Sequence, residues 1–215
     1  MPYGPDMSSS TPTAEHAPSS VSAREVQRLE TRARLFDAAV AEIGRSGLAD
    51  ADVSTIAAAA GVARGTFYFH FPTKEHVVVE VERAQEAKIV ARLGTRQREI
   101  TDLLSVLSLL VREVLAAEQR LGPVFFRDML GLHFTSTRPG EDELGEHPLA
   151  EFVIAAIAGV QGAGRVARDA DAGELGVFFL TGLFGLLATD SSAPRARAAL
   201  MDRYVKTIVL GIEAR

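Results

Sequence analysis

Between Val53 and Phe71 two short segments, each apolar on one side, flank Gly61, and the second carries Arg64, Gly65, Thr66, Tyr68, Phe69 and His70. These residue types suit the edges and the backbone of a nucleic-acid duplex. An arginine guanidinium grips guanine through two hydrogen bonds, at ~1 to 3 kcal/mol for a good pair. It bonds phosphate oxygens about as often, and the sequence leaves both roles open for Arg64. Glycine at 65 lets backbone approach closely, Thr66 and His70 can bond phosphate oxygens, and an exposed Phe69 can touch a thymine methyl. On a wheel of 100° per residue, Phe67 and Phe71 fall together as the packing face, with Gly65, Thr66, Phe69 and His70 opposite. Tyr68 lies on the flank with its hydroxyl in reach of a phosphate. Lys74 opens the next helix with its charge beside the backbone, and Ser54 adds a hydroxyl in the first turn of the preceding helix. Arg24, Arg28 and Arg32, four apart, line one side of a helix and extend the set.

Other chemistry finds little support. The chain has no cysteine, which removes disulfides, thiolate zinc sites and a cysteine nucleophile, and fits a reducing cytoplasm. Histidines 16, 70, 76, 133 and 147 form no metal-binding pair at helical spacing, and no Gly-rich phosphate loop or nucleophile motif occurs. An enzyme that uses a helical cavity is the rival reading, but no cofactor, no metal and no catalytic residue is expected.

The elements that must position these residues read as helices throughout, because no sustained two-residue alternation marks a strand. The fold class is all-α with about nine helices. They are expected over Ala23 to Ile43, Val53 to Ala60, Arg64 to Phe71, Lys74 to Leu93, Asp102 to Arg120, Val124 to His133, Leu149 to Val160, Glu174 to Ala188 and Arg195 to Ile212. Gly47 and Gly61 stop the first two, and Pro72 closes the third. Gly122 with Pro123, and the stretch from Asp190 to Pro194, read as breaks between helices. Asp52 stands where a capping side chain accepts amide hydrogens. The chain divides into three parts: a disordered leader over 1–22, a three-helix helix-turn-helix head over 23–73, and a larger helical body over 74–215. The span from Thr135 to Pro148 is a polar, acidic loop. The most apolar stretch, Leu175 to Ala188, holds three glycines and falls short of the ~20 residues that cross a bilayer, so it reads as a buried helix with no membrane partner.

The net charge of -5 argues against a general affinity for phosphates, but it is unevenly spread. Residues 21–92 hold ten Lys/Arg and ten Asp/Glu, whereas residues 93–215 hold 13 and 16. A neutral head must bind through placed groups, not a broad basic field. In the body, seven of the eleven phenylalanines lie beyond residue 93, which together with Met129 suits a cavity for a small apolar effector. Phe126, Met129, His133 and Phe152 are its expected wall, with His133 orienting a polar end. An aromatic stripe of this kind also serves as plain core.

The residues Ile56-Ala57 to Ala60-Gly61-Val62, then Gly65-Thr66-Phe67-Tyr68, then Phe71-Pro72-Thr73-Lys74-Glu75 resemble the TetR family of regulators. The match runs over about residues 24 to 80. Two positions depart from the family pattern: Asp52 where Thr or Ser is usual, and Ala63 where Ser or Thr is usual. Asp52 still caps but repels phosphate, and Ala63 offers no side-chain cap. The resemblance implies a homodimer, a repressor that leaves a palindromic operator when an effector binds, and a four-helix dimer interface. Phe179, Leu183 and Leu186 on the eighth helix and Leu200, Tyr204, Ile208 and Ile212 on the ninth are its expected members. A fully buried monomer core is the alternative for the same faces.

Overall fold

The computed structural model describes residues 22–96, 102–139, 147–190 and 192–213, so the expected leader lies almost entirely outside the described residues. Among these residues there are nine α-helices and no strand. They are α1 (Ala23–Ser46), α2 (Val53–Ala59), α3 (Arg64–His70), α4 (Lys74–Arg96), α5 (Leu103–Leu121), α6 (Pro123–Gly131), α7 (Pro148–Gly162), α8 (Ala172–Thr189) and α9 (Pro194–Glu213). A 3-10 turn over Leu132–Phe134 extends α6.

The helix ends follow local chemistry. Gly47 and Gly61 adopt φ of 86° and 69°, which side-chain-bearing residues avoid, and these turns end α1 and separate α2 from α3. Phe71 is extended because Pro72 follows it, so α3 closes at His70. Pro123 and Pro194 are not spacers, contrary to expectation. Like Pro148, each is the first residue of its helix, where the missing N–H has no partner to lose and the fixed φ is already helical.

Two apolar cores divide the chain. The head core gathers Leu35, Ala39, Val53, Ile56, Ala60, Phe67, Phe71 and Val77. The body core takes Ile43 at the far end of α1, Val78, Val79 and Val81 from α4, and the inward faces of α5 to α9. Consecutive valines of α4 therefore serve different cores, and α1 and α4 join head to body. Further ties cross the same junction. Arg32 on α1 donates to Glu80 on α4 at 3.0 Å, and the Leu48 amide donates to Asp128 Oδ2 on α6 at 2.6 Å.

α8 is the one helix among the described residues long and apolar enough to cross a membrane. It packs instead as a core helix, with Phe179, Leu183 and Leu187 fully buried against the body.

Candidate nucleic-acid interface and effector cavity

The outward face of the head is built on a short α3. Phe67 is buried and Phe71 closes behind it, with the two rings 5.7 Å apart, which fixes how α3 is rotated. That rotation leaves Arg64 and Gly65 exposed, Tyr68 45% exposed and Phe69 73% exposed. Phe69 is the most exposed phenylalanine among the described residues. Arg64 lies 5.9 Å from the Tyr68 ring centre and donates to its hydroxyl at 3.4 Å, so the two side chains stand together on this face. His70 is half-buried. Burial first, then the charges of Arg28 and Arg32, pull its pKa below the usual histidine value, so the ring works as a neutral hydrogen-bonding group.

The rim of this face is less available than its residue types suggest. Asp52 accepts from the Ser54 amide at 3.1 Å and the Thr55 amide at 3.2 Å, and these bonds, Ser54's the largest, lower its pKa. The first amides of α2 are occupied by Asp52, which leaves Ser54 its exposed hydroxyl. Ala63 makes no side-chain cap on α3. Lys74 departs from expectation: its ammonium donates to the carbonyls of Leu48 at 2.7 Å, Ala49 at 3.2 Å and Ala51 at 2.7 Å. A lysine carries three donors, and all three are directed at the α1–α2 loop, so its role is to hold that loop against α4. Arg28 pairs with Glu25 at 2.6 Å, and Arg32 lies over the Phe71 ring at 4.6 Å while bonding Glu80. The basic face read along α1 is thus partly neutralised.

In the body, a cavity of about 290 Å³ is lined by Glu86, His133, Phe134, His147, Ala150, Val177, Leu180, Thr181 and Phe184. A narrow extension beside it touches Glu82, Gln85, Phe126, Met129 and Leu149, and shares Glu86 and Phe184. Glu82 is almost wholly buried. It is bonded by His133 Nε2 and, at 2.9 Å, by Arg138. Burial pushes its pKa up, but the bonds and charges of His133 and Arg138 outweigh burial and hold the carboxyl below its usual value. His133 also lies 4.8 Å from the Phe184 ring. Of the four expected wall residues, His133 lines the cavity and Phe126 and Met129 line its extension. Phe152 lines neither and packs half-buried against the core.

The α8–α9 faces also sort differently from the expectation. Phe179 and Leu183 are completely buried within the single chain, and Ile212 is 9% exposed, so these three belong to the monomer core. Tyr204 is partly buried: its hydroxyl donates to the Phe179 carbonyl at 2.6 Å, and burial pushes its pKa up to about 12. Gly182 makes this possible, since a Cβ there would stand 2.3 Å from the Tyr204 hydroxyl. Leu186, Leu200 and Ile208 are only partly covered. The large apolar residues of α8 and α9 most open to solvent are Phe178, 64% exposed, and Leu210, 72% exposed. A shift of one residue along α8, from Phe179 to its neighbour, turns a core ring into a surface ring.

Residues 35–81 match the family model described as bacterial regulatory proteins, tetR family. That match spans the helix-turn-helix segment, from within α1 to within α4. Over 94 residues it is 30% identical to the fatty acid metabolism regulator protein of Bacillus subtilis (strain 168), a match that spans 42% of this chain and about half, 48%, of that regulator. The helical arrangement extends further than the sequence likeness. FadR of Thermus thermophilus, a TetR-family repressor solved in complex with lauroyl-CoA, superposes with a TM-score of 0.64 at 19% identity, covering 86% of this chain and 96% of that one. The fatty acid degradation regulator FadR of Bacillus halodurans gives a TM-score of 0.59 at 23% identity, covering 83% and 98%.

α3 brings together Arg64, Gly65, Thr66, Tyr68, Phe69 and His70 on one short helix, and Ser54 lies in the first turn of α2. Glu82, Gln85, Glu86, His147 and Phe184 line the cavity or its extension without having been expected there, and Arg138 stands behind Glu82. A signal for two of them exists in the sequence. Glu82 and Glu86 fall on the same stripe of α4 as Val78, Ile89 and Leu93, all three buried, and charges inside an apolar stripe mark a polar interior.

Proposed function

We propose that this chain is a homodimeric transcriptional regulator of the TetR type, a repressor that binds a palindromic operator through α3 and leaves it when a small, largely apolar effector fills the body. The observation that carries this reading is the outward face of α3. Arg64, Tyr68 and the 73%-exposed Phe69 stand in solvent on a helix whose rotation is locked by Phe67 and Phe71. A hydrophobic ring held outward beside a guanidinium has a use when the major groove receives it. In a dimer two such helices would sit ~34 Å apart, one turn of duplex. The exposed Phe178 and Leu210, with Leu186, Leu200 and Ile208, supply the apolar surface on which a second copy would pack. A cytoplasmic location is consistent with this role.

Effector control requires that ligand binding favour one spacing of the heads over another. α4 supports this, because it lines the cavity through Glu82 and Glu86 and reaches the head core through Val77. The lauroyl-CoA bound by the Thermus thermophilus neighbour favours a second reading for the effector, an acyl thioester.

The deciding experiment is fluorescence anisotropy of purified protein on duplexes from its own upstream intergenic region. The expected result is saturable binding to a palindrome with two protomers per half-site pair, weakening steeply with salt. Equal binding to unrelated duplex, or none, would refute it.

A further inference from the structure

The two carboxylates that α4 turns into the body lie one helical turn apart and are answered very differently. Glu82 has a guanidinium at 2.9 Å and an imidazole against its other oxygen. Glu86, with its side chain 7% exposed, has His147 Nδ1 at 3.8 Å and the Leu149 amide at 3.4 Å. Both are longer than the ~2.7 to 2.9 Å of a charge-assisted bond. Beside it Gln85 Oε1 is buried with no hydrogen-bond partner. A carboxylate and an amide oxygen together offer about six lone-pair sites, and buried acceptors left this short of donors are costly. The shortage borders open space, since Glu86 lines the cavity of about 290 Å³ and Gln85 its extension.

We propose that this cavity binds a small amphiphile with a protonated amine at one end, the ammonium seated at Glu86 and Gln85 and the apolar part against Leu180, Phe134 and Phe184. This deepens the effector reading given above and rests on it. An ammonium brings three donors and no acceptor, which is what these oxygens lack. Aromatic faces attract a cation too, and Phe134 and Phe184 line the same space. An anionic end, whether carboxylate or phosphate, meets the opposite fate: it would bring like charge against Glu86, while Arg138 is directed at Glu82. The volume stands at the low end of small-molecule sites, ~300 to 1,000 Å³, so the tail is of medium length.

Calorimetric titration of the full chain with n-octylamine, 1-octanol, octanoate and octanoyl-CoA tests the chemistry. Octylamine is expected to bind at least about tenfold tighter than octanol or octanoate, the difference one hydrogen-bonded charge contributes. Glu86→Gln, which preserves shape, should erase that preference and leave the unfolding temperature equal or higher, because a poorly paired buried charge is gone. Gln85→Leu should weaken octylamine and spare octanol. Octanoate or octanoyl-CoA binding tighter than the amine overturns the proposal, and so does a preference for amine that survives Glu86→Gln or an absence of amine binding at millimolar concentration. A lowered unfolding temperature of Glu86→Gln with unchanged amine binding also overturns it, since Glu86 would then be structural. Operator anisotropy in the same samples separates the two levels. Glu86-dependent amine binding without operator release refutes effector control and keeps the pocket chemistry. Release by octanoyl-CoA without amine binding does the reverse.

Discussion

In the head, α3 turns Phe67 inward and holds Arg64, Tyr68 and Phe69 in solvent, whereas in the body α4 turns Glu82 and Glu86 inward among Phe126, Met129, Leu149 and Phe184. Both helices obey the same 3.6-residue geometry. What differs is the side on which the polar groups lie. A helix with its chemistry outside needs only a plain apolar core behind it, and eight buried residues suffice for the head. A helix with its chemistry inside must draw partners for its polar atoms from elsewhere in the chain, and the body does so for Glu82 with His133 and Arg138, 51 and 56 residues downstream, while Glu86 has His147 only at 3.8 Å. The head's working groups can therefore be changed without disturbing its fold, and the closed cluster at Glu82 cannot.

The largest effect expected from this contrast is on stability. Glu82→Leu leaves Arg138 and His133 facing an apolar wall, and loss of one partner from a buried pair costs ~3 to 5 kcal/mol. Urea unfolding should show it as a lower midpoint at unchanged slope. A loss under about 1 kcal/mol would mean that the cluster is not the closed network described. On the other side of the comparison, Arg64→Ala should lower operator affinity about ten- to hundredfold while circular dichroism and the urea midpoint stay at wild-type values. If stability falls as well, the head is not the independent surface it is taken to be.

Lys74 sharpens the boundary between these two behaviours. Because its ammonium binds three carbonyls of the α1–α2 loop, Lys74→Met should act as a stability mutation of about 1 to 2 kcal/mol. A phosphate-contacting lysine would instead reduce the slope of log affinity against log salt by about one, with stability unchanged. The smallest effect is on pH. Glu82 is held below its ordinary pKa, so the unfolded chain binds its proton more readily than the folded one. Its contribution is full above the unfolded carboxylate pKa of ~4.3 and is lost as pH falls below it. Glu82→Gln should flatten the acid side of the stability profile measured between about pH 3 and 6, and an unchanged slope would show that Glu82 contributes nothing to it.

The same inside-outside contrast explains how much of the molecule is legible in its sequence. The nine helices follow from apolar spacing and from Gly and Pro signals, and the outward residues of α3 follow from a helical wheel once Phe67 and Phe71 define its inside. The helix starts at Pro123 and Pro194 look like breaks because a proline ends one helix and begins the next with equal ease. The role of Lys74 is hidden because its three carbonyl partners lie 23 to 26 residues upstream, at a separation no local pattern reports. The outer face of α8 differs from the expected one by a single residue. Phe178 and Phe179 are adjacent, and which ring goes inside depends on Tyr204 closing over Gly182, a contact between helices. The body cavity is the least legible part, since its polar partners come from α4, the turn after α6 and the start of α7.

The most direct test of DNA recognition through α3 is selection from a random duplex library by the purified chain, followed by anisotropy on the recovered sequence. The expected product is a palindrome whose half-sites are about one helical turn, ~34 Å, apart, bound by the wild type and lost in Tyr68→Ala at unchanged helicity. Recovery of no common sequence, or full binding by Tyr68→Ala and Arg64→Ala alike, would contradict it.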